Sequence, residues 1–204
     1  MTAAVVLVLR SGGPYVVDDV HRLADQCEAW LPGARVICLS DVPVAPVARV
    51  PLDYDWPGWW AKMELYRPDL LGDFLFLDLD TIVRGPLDPF ARLGRLALLR
   101  DFYRNGQRGK PDGLGSGLMF LPEQDRGAIW RAWSAAPAIA MQQCGIYGDQ
   151  RFLERHWLKT AARLQDLLPG QVASYKASTA EERQAASVVC FHGKPKPRDV
   201  GWMV

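Results

Sequence analysis

Apolar residues fall along the chain in short runs of two kinds, and the alternation between them carries the fold class. Residues 5–9 are β-branched and aliphatic without interruption and end at Arg10-Ser11-Gly12-Gly13, which predicts a buried strand. Over residues 15–30 the apolar positions Val16, Val20, Leu23, Cys27 and Trp30 recur at helical spacing, and residues 35–39, reached through Pro32-Gly33, are a second apolar run. Strand, amphipathic helix, strand predicts a parallel pair with a right-handed crossover, so the fold class is α/β. Pro43, Pro46 and Pro51 make residues 41–54 irregular, with room for one short strand at 47–50. A short helix is expected over 59–66 and is stopped by Pro68.

Residues 74–77, Phe-Leu-Phe-Leu, are apolar at every position, which suits a strand buried on both faces. Further strands are predicted at 96–99 and 118–121, separated by a glycine-rich, charged loop at 104–115 that is expected to be mobile. Helical patterns follow at 125–135 and 148–157, then strand-like pieces at 163–167 and 188–191. There is no internal repeat.

Composition narrows the class. The 204 residues predict a single domain, 1–204, and the balanced charge of +1 with interspersed signs gives no reason to expect a nucleic-acid partner. The four cysteines, Cys27, Cys38, Cys144 and Cys190, are scattered, which fits buried thiols in a cytoplasmic protein better than a zinc site or a disulfide framework. The opening apolar stretch is too short for a transmembrane segment and is expected to be the first strand. Among the eight tryptophans, Trp56, Trp59 and Trp60 form a cluster whose faces suit either a core or a sugar ring.

The candidate chemistry sits at the end of the 74–77 run. On a strand, Asp78 and Asp80 point to the same side, and two carboxylates emerging together repel unless a cation lies between them. A hard divalent metal with oxygen ligands is the natural occupant. Near the far end, His192-Gly193-Lys194 can add an imidazole ligand and a phosphate-binding ammonium, and imidazole favours manganese, with magnesium as the second choice.

In this order the residues resemble retaining glycosyltransferases of family 8, the group of glycogenin and the lipopolysaccharide galactosyltransferases. The likeness rests on Arg10-Ser11-Gly12-Gly13-Pro14-Tyr15, on Trp60-Ala61-Lys62-Met63-Glu64-Leu65-Tyr66, and on Asp78-Leu79-Asp80. It continues through Ser116-Gly117-Leu118-Met119-Phe120, Gly148-Asp149-Gln150 and His192-Gly193-Lys194-Pro195. The resemblance implies a GT-A fold, Rossmann-like, with a mostly parallel mixed sheet flanked by helices. It implies transfer of a sugar from a UDP-sugar donor to an acceptor that the sequence does not name, with retention at the anomeric carbon. It further implies Asp78, Asp80 and His192 as ligands of Mn²⁺ and Gly193 and Lys194 at the donor diphosphate, where Asp78 also contributes. Tyr15 is implied near the nucleobase, Lys62 at the donor phosphate or sugar, Asp101 at the transferred sugar, and Asp149 and Gln150 at the reacting face.

Two departures stand out: Gly115 takes the place of an asparagine before Ser-Gly, and Ser11-Gly12-Gly13 lacks the aspartate common in the first turn. Two rival functions remain at this point. One is an aspartyl-nucleophile phosphatase, whose first motif also ends a strand in Asp-X-Asp, although Thr81-Ile82 stands where Gly-Thr is expected. The other is a nucleotide-sugar-binding module without turnover.

Overall fold

The computed structural model describes residues 3–106 and 108–202. The strands are β1 (Ala4–Leu9), β2 (Val36–Ser40), β3 (Ala48–Pro51), β4 (Phe74–Leu77), β5 (Thr81–Val83), β6 (Ala97–Arg100), β7 (Leu114–Leu121), β8 (Ala162–Arg163), β9 (Val172–Ser174) and β10 (Val188–Cys190). The α-helices are α1 (Val17–Trp30), α2 (Asp88–Ala91), α3 (Glu123–Ala135), α4 (Pro137–Cys144), α5 (Gly148–Trp157), α6 (Leu164–Leu167) and α7 (Ala180–Ala185). A 3₁₀ helix spans Gly58–Tyr66.

The main sheet has seven strands in the order β3-β2-β1-β4-β7-β6-β8. From β3 to β4 it is parallel, β7 runs antiparallel to both β4 and β6, and β8 is parallel to β6. This is the mostly parallel α/β sheet expected. The all-apolar run of β4 is explained by its place in the middle: Leu75 and Leu77 pack on one face with α1, while Phe74 and Phe76 pack on the other with the 3₁₀ helix and α3.

The second face owes its bulk to aromatic rings. Trp133 is fully buried, stacks on Trp60 at 5.2 Å and meets Trp56 edge-on at 5.1 Å. A second sheet, β5-β10-β9, has its own small core of Ile82, Ala173, Val189 and Phe191. It ties the chain's last strand to the segment that follows β4.

Several expectations are corrected. Residues 163–167 are not a strand: β8 stops at Arg163 and Leu164–Leu167 is one helical turn. The 104–115 stretch gives up Leu114 and Gly115 to β7, and its ends are tied by Arg104 to Glu154 and by Asp112 to Arg163 at 2.6 Å. Gln107, also within that stretch, lies outside the described residues. Gly115 itself is in close quarters, because a Cβ there would stand 3.1 Å from Leu99 Cβ. Helices α4 and α7 and strand β9 are additions; α7 begins with a reciprocal cap between Thr179 and Glu182.

The seam between β5 and β10 is tight at Gly85, where a Cβ would meet Ser187 Oγ at 2.6 Å and its Cα at 3.0 Å. Gly85→Ala should therefore destabilise the fold by about 1–3 kcal/mol, the usual range for overpacking. A denaturant midpoint equal to wild type would show that the seam relaxes freely.

Candidate active site

Over the carboxyl ends of β1, β4 and β6 lies a pocket of about 650 Å³, the usual ligand position in an open α/β sheet. It is lined by the β1–α1 loop, the turn after β4, the start of β7, the start of α5, and the segment after β10.

The acidic turn is built by backbone, not by strand alternation. β4 ends at Leu77, and Asp78-Leu79-Asp80 form a turn closed by Thr81 N donating to Asp78 O at 2.9 Å. Leu79 is buried in the core while both aspartates line the pocket. The alternation expected of a strand thus gives the right outcome by the wrong route. Arg22 of α1, buried beneath the turn, donates to the carbonyls of Leu79 at 2.6 Å and Thr81 at 2.9 Å, clamping Asp80 from behind. Gln26 accepts from Arg22 at 3.2 Å and from Val83 N at 3.0 Å and completes the clamp. Nothing in the sequence pattern singled out Arg22, because an arginine in an amphipathic helix reads as solvated.

Each aspartate of the turn faces a lysine. Lys62 Nζ lies 3.2 Å from Asp78 Oδ2, 2.9 Å from Asp149 Oδ2 and 3.2 Å from Ser116 Oγ. Ser116 reaches it because β7 is irregular here: Leu98 pairs with Met119, yet the next residue, Leu99, pairs with Gly115. Burial works against the Lys62 ammonium, but Asp149 and then Asp78 outweigh it and raise its pKa overall. Asp78 is pushed up to about 6, by burial first, with Lys62 opposing and the charges of Asp80 and Asp149 adding to the rise. On the other side Lys196 Nζ lies 2.8 Å from Asp80 Oδ2, hydrogen-bonds the Tyr15 hydroxyl and sits 4.4 Å from the Tyr15 ring centroid. Burial and the nearby Asp80 and Asp78 raise the Tyr15 phenol, which stays protonated.

The chain after β10 decides which lysine enters. Phe191 is held by its N–H to Asp80 O at 3.0 Å, His192 turns into the pocket, and Gly193, at φ +83, turns the backbone away. Lys194 is carried outward: it is exposed, does not line the pocket, and its carbonyl accepts from Lys176 Nζ at 3.1 Å. Lys196 then returns to Asp80, and Arg198 fastens the segment to Asp19 at 3.3 Å and to Pro14 O. Of the two lysines it is therefore Lys196, which the sequence reading passed over, that the fold places at the acidic turn. In Lys194-Pro195-Lys196-Pro197 spacing alone does not distinguish them.

His192 lies against Phe102 and Tyr103, with ring centroids at 5.4 and 5.3 Å, and its Nε2 is 2.6 Å from Ser174 Oγ. Burial, then Lys176, lowers its pKa, so the imidazole is neutral near pH 7. Gln150 Nε2 donates to Asp101 Oδ2 at 2.9 Å, while Asp101 Oδ1 accepts from the backbone N–H groups of Tyr103 and Arg104 at 2.8 and 3.2 Å. Asp101 is thus both turn residue and orienter of Gln150, with Arg104 Nε 3.5 Å from it.

The expected metal ligands are gathered in part. Asp78, Asp80 and His192 line one pocket, but among the described residues no three His, Cys, Asp or Glu side chains converge as a metal cluster. The donor set nevertheless fits a divalent cation in kind. It offers hard carboxylate oxygens and a neutral imidazole, and three carboxyl groups (Asp78, Asp80, Asp149) face only two ammonium groups.

Lys62→Met should cost about 3–5 kcal/mol by leaving buried carboxyls unpaired. Asp78 already titrates in the fold near 6, above its usual 3.8, so the native state takes up a proton where the unfolded chain does not. Removing Lys62 raises it further, and the deficit relative to wild type should be largest at pH 7–8 and shrink toward pH 5. Denaturant titrations of both proteins across this range check the sign; a deficit that grows on acidification would contradict it.

Neither a protein-family model nor a curated protein matches the chain. Solved structures do. An active-site variant of LgtC with a glutamine changed to glutamate aligns with a TM-score of 0.69 at 13% identity, over 95% of this chain and 89% of that one. The galactosyltransferase LgtC in complex with donor and acceptor sugar analogues gives 0.68 at 14%, over 95% and 88%. The glycosyltransferase GlyE of Streptococcus pneumoniae TIGR4 gives 0.71 at 16%, over 98% of this chain and 59% of GlyE. At such identities the likeness is one of architecture, and the chain has the α/β fold of these GT-A glycosyltransferases.

Proposed function

We propose that the protein is a glycosyltransferase that takes a sugar from a nucleotide-sugar donor, a UDP-sugar, and transfers it to an acceptor hydroxyl with retention at the anomeric carbon. The observation that carries this is the meeting of Tyr15, Asp78, Asp80 and Lys196, drawn from distant parts of the sequence, in one pocket above the sheet. LgtC, of the same fold, was solved with donor and acceptor sugar analogues, which supports the assignment of the pocket to both substrates.

In the reaction the bond between the anomeric carbon and the diphosphate oxygen breaks, a bond from that carbon to the acceptor oxygen forms, and the proton of the acceptor hydroxyl passes to an oxygen of the departing diphosphate. The diphosphate gains charge as it leaves. Lys196 is the ammonium within reach of it, pinned beside Asp80, and Gly193 lets the backbone approach closely. Asp78, Asp80 and His192 would hold Mn²⁺, or Mg²⁺ in its place, and the ion when bound would neutralise the same diphosphate. Tyr15 offers a ring face at the nucleobase end. Lys62 fixes Asp78 and Asp149 relative to each other and so sets the floor on which the donor sugar lies. Gln150, held through its amide nitrogen by Asp101, lines the pocket, and its amide oxygen is the group we assign to the face where positive charge develops. The active-site glutamine altered in LgtC supports this choice of group.

The phosphatase alternative gains no support. The solved structures that share this chain's fold are glycosyltransferases, and Thr81-Ile82 stands where the phosphatase motif needs Gly-Thr.

The test is release of nucleoside diphosphate from a panel of nucleotide sugars as Mn²⁺ is titrated. Asp80→Asn should abolish the metal-stimulated rate. His192→Ala should recover part of its loss in excess Mn²⁺. Lys196→Ala should lower kcat by about 10²-fold, beyond rescue by metal, while Lys194→Ala stays near wild type. No release by the wild type from any donor would leave a binding module without turnover and refute the proposal; equal losses in the two lysine variants would refute the role of Lys196.

A further inference from the structure

Over residues 137–160 charge is sorted by depth. Both carboxyls of the stretch are turned inward: Asp149 lies 2.9 Å from Lys62, and Glu154 pairs with Arg104 and accepts from Leu114 N at 2.9 Å. The three cationic side chains, Arg151, Arg155 and Lys159, are all exposed. The two arginines meet neutral groups: Arg151 lies 5.0 Å from the centroid of the Tyr147 ring, and Arg155 donates to the Gln143 side chain at 2.9 Å and to its carbonyl at 3.4 Å. His156 adds no charge near pH 7, because burial and then Arg155 lower its pKa. Helix α5 thus buries Phe152, Leu153 and Trp157 and sets uncompensated positive charge on its outer side.

Three large apolar side chains stand beside these cations. Ile139 on α4 is 55% exposed, and Ile146 and Tyr147, in the turn before α5, are 86% and 60% exposed. Contacts join the two sets into one face. Ile139 is one helical turn from Gln143, Gln143 meets Arg155, Arg155 is one turn from Arg151, and Arg151 lies by the Tyr147 ring, next to Ile146. At 86% exposure Ile146 stands proud of the surface, so nothing in the fold collects the stabilisation its burial would give.

The chemistry of this face selects its partner. A protein interface of ordinary size buries roughly 800 Å² per partner around a packed centre, and three protruding side chains beside a row of cations do not make one. Nucleic acid answers the charge but leaves the isoleucines in water. A fluid layer of anionic lipid answers both, since its phosphates take the guanidinium and ammonium groups and its disordered interface accepts an apolar side chain without a matching pocket. Among the described residues no helix is long and apolar enough to cross a membrane, so such a contact lies at the interface.

We propose that this face docks on an anionic phospholipid bilayer, with Arg151, Arg155 and Lys159 at the headgroup phosphates and Ile139, Ile146 and Tyr147 entering the boundary between headgroups and acyl chains. Ile146 and Tyr147 also line the pocket, so docking sets the pocket mouth at the level of the headgroups. The proposal goes beyond the transfer reaction and does not depend on it.

The experiment is co-sedimentation of the whole chain with vesicles of phosphatidylcholine alone and of phosphatidylcholine mixed with phosphatidylglycerol. The wild type should bind the mixed vesicles and not the neutral ones, and added salt should weaken binding by screening the headgroups. Each basic group near an anionic surface strengthens binding about fivefold, so Arg151→Gln combined with Lys159→Gln should weaken it about 25-fold. Ile146→Ser should cost about tenfold on the same vesicles, a loss that attraction between charges alone does not produce. Ile139→Ser replaces it if Ile146→Ser unfolds, as read by a shifted denaturant midpoint. No binding of the wild type to mixed vesicles, equal binding to both kinds, or wild-type affinity in the double variant or in the serine variant would overturn the proposal. Capture by soluble polyglutamate in place of the mixed vesicles would point to an acidic polypeptide and overturn it as well. Vesicle binding is read without donor or metal, so loss of the transferase function leaves its result standing.

Discussion

Buried negative charge is the constraint on which the rest of this structure depends. Asp78, Asp80 and Asp149 are gathered at the end of a strand that is apolar on both faces, where water is scarce and like charges repel strongly. Each must be answered by a group the chain itself supplies. Lys62 answers Asp78 and Asp149; Lys196 answers Asp80; Arg22, from beneath, satisfies the carbonyls of the turn. These groups come from positions 22, 62, 78, 80, 149 and 196, so the site exists only once both sheets have formed. Its stability and its chemistry are the same set of contacts, and a buried pair broken on one side leaves a charge that neither water nor a neighbour can absorb.

The small β5-β10-β9 sheet makes sense in this light. It adds only a modest core, but it fixes the register between the acidic turn and the last strand: β5 leaves the turn, β10 pairs with it, and Phe191 N–H closes on Asp80 O. The segment that follows is then placed to within a hydrogen bond before it makes any contact of its own. Arg198 ties its far end to the β1–α1 loop, so Lys196 and Tyr15 are held from both sides.

How much of this was legible depended on whether a physical pattern was local. Strands β1, β2 and β4 and helix α1 could be read because burial on one or two faces imposes a period on four or more successive residues. Residues 163–167 could not: one turn of helix following two strand residues has no period to detect, with Leu164 buried in the core and Leu167 packed half-buried against it. The Thr179-Glu182 cap of α7 was a readable local signal, passed over because the helix it starts has no buried face. In the site, Asp78 and Asp80 were visible because they stand two residues apart at the end of an apolar run, whereas Asp149 and Gln150 were implied only by the family resemblance. Arg22 was not, since its role depends on which turn lies under α1, a fact of topology. The choice between Lys194 and Lys196 turned on the direction of the backbone at Gly193. No composition or spacing encodes that.

The 3₁₀ helix shows how little separates a structural residue from a functional one. In an α-helix of the usual period, Trp59, Lys62 and Met63 would lie close to one face, and an apolar stripe would have to include or exclude the lysine. At three residues per turn Trp59 and Lys62 fall on a different face from Trp60, Met63 and Tyr66, although Leu65, one turn beyond Lys62, joins the core. One carries Trp60, Met63 and Tyr66 into the aromatic core, another brings Trp59 and Lys62 to the pocket, and Glu64 on the third is fully buried, accepting from the backbone of Asp53 and Tyr54 at 2.7 and 3.0 Å and from Arg67 at 2.8 Å. The less favourable hydrogen bonding of such a helix is offset by the satisfaction of all three faces. Because Lys62 and Trp59 are then rigidly offset by one turn, the group that balances the carboxyls also sets where an aromatic face stands relative to them, so charge placement at the acidic turn and the shape of the pocket mouth cannot vary independently.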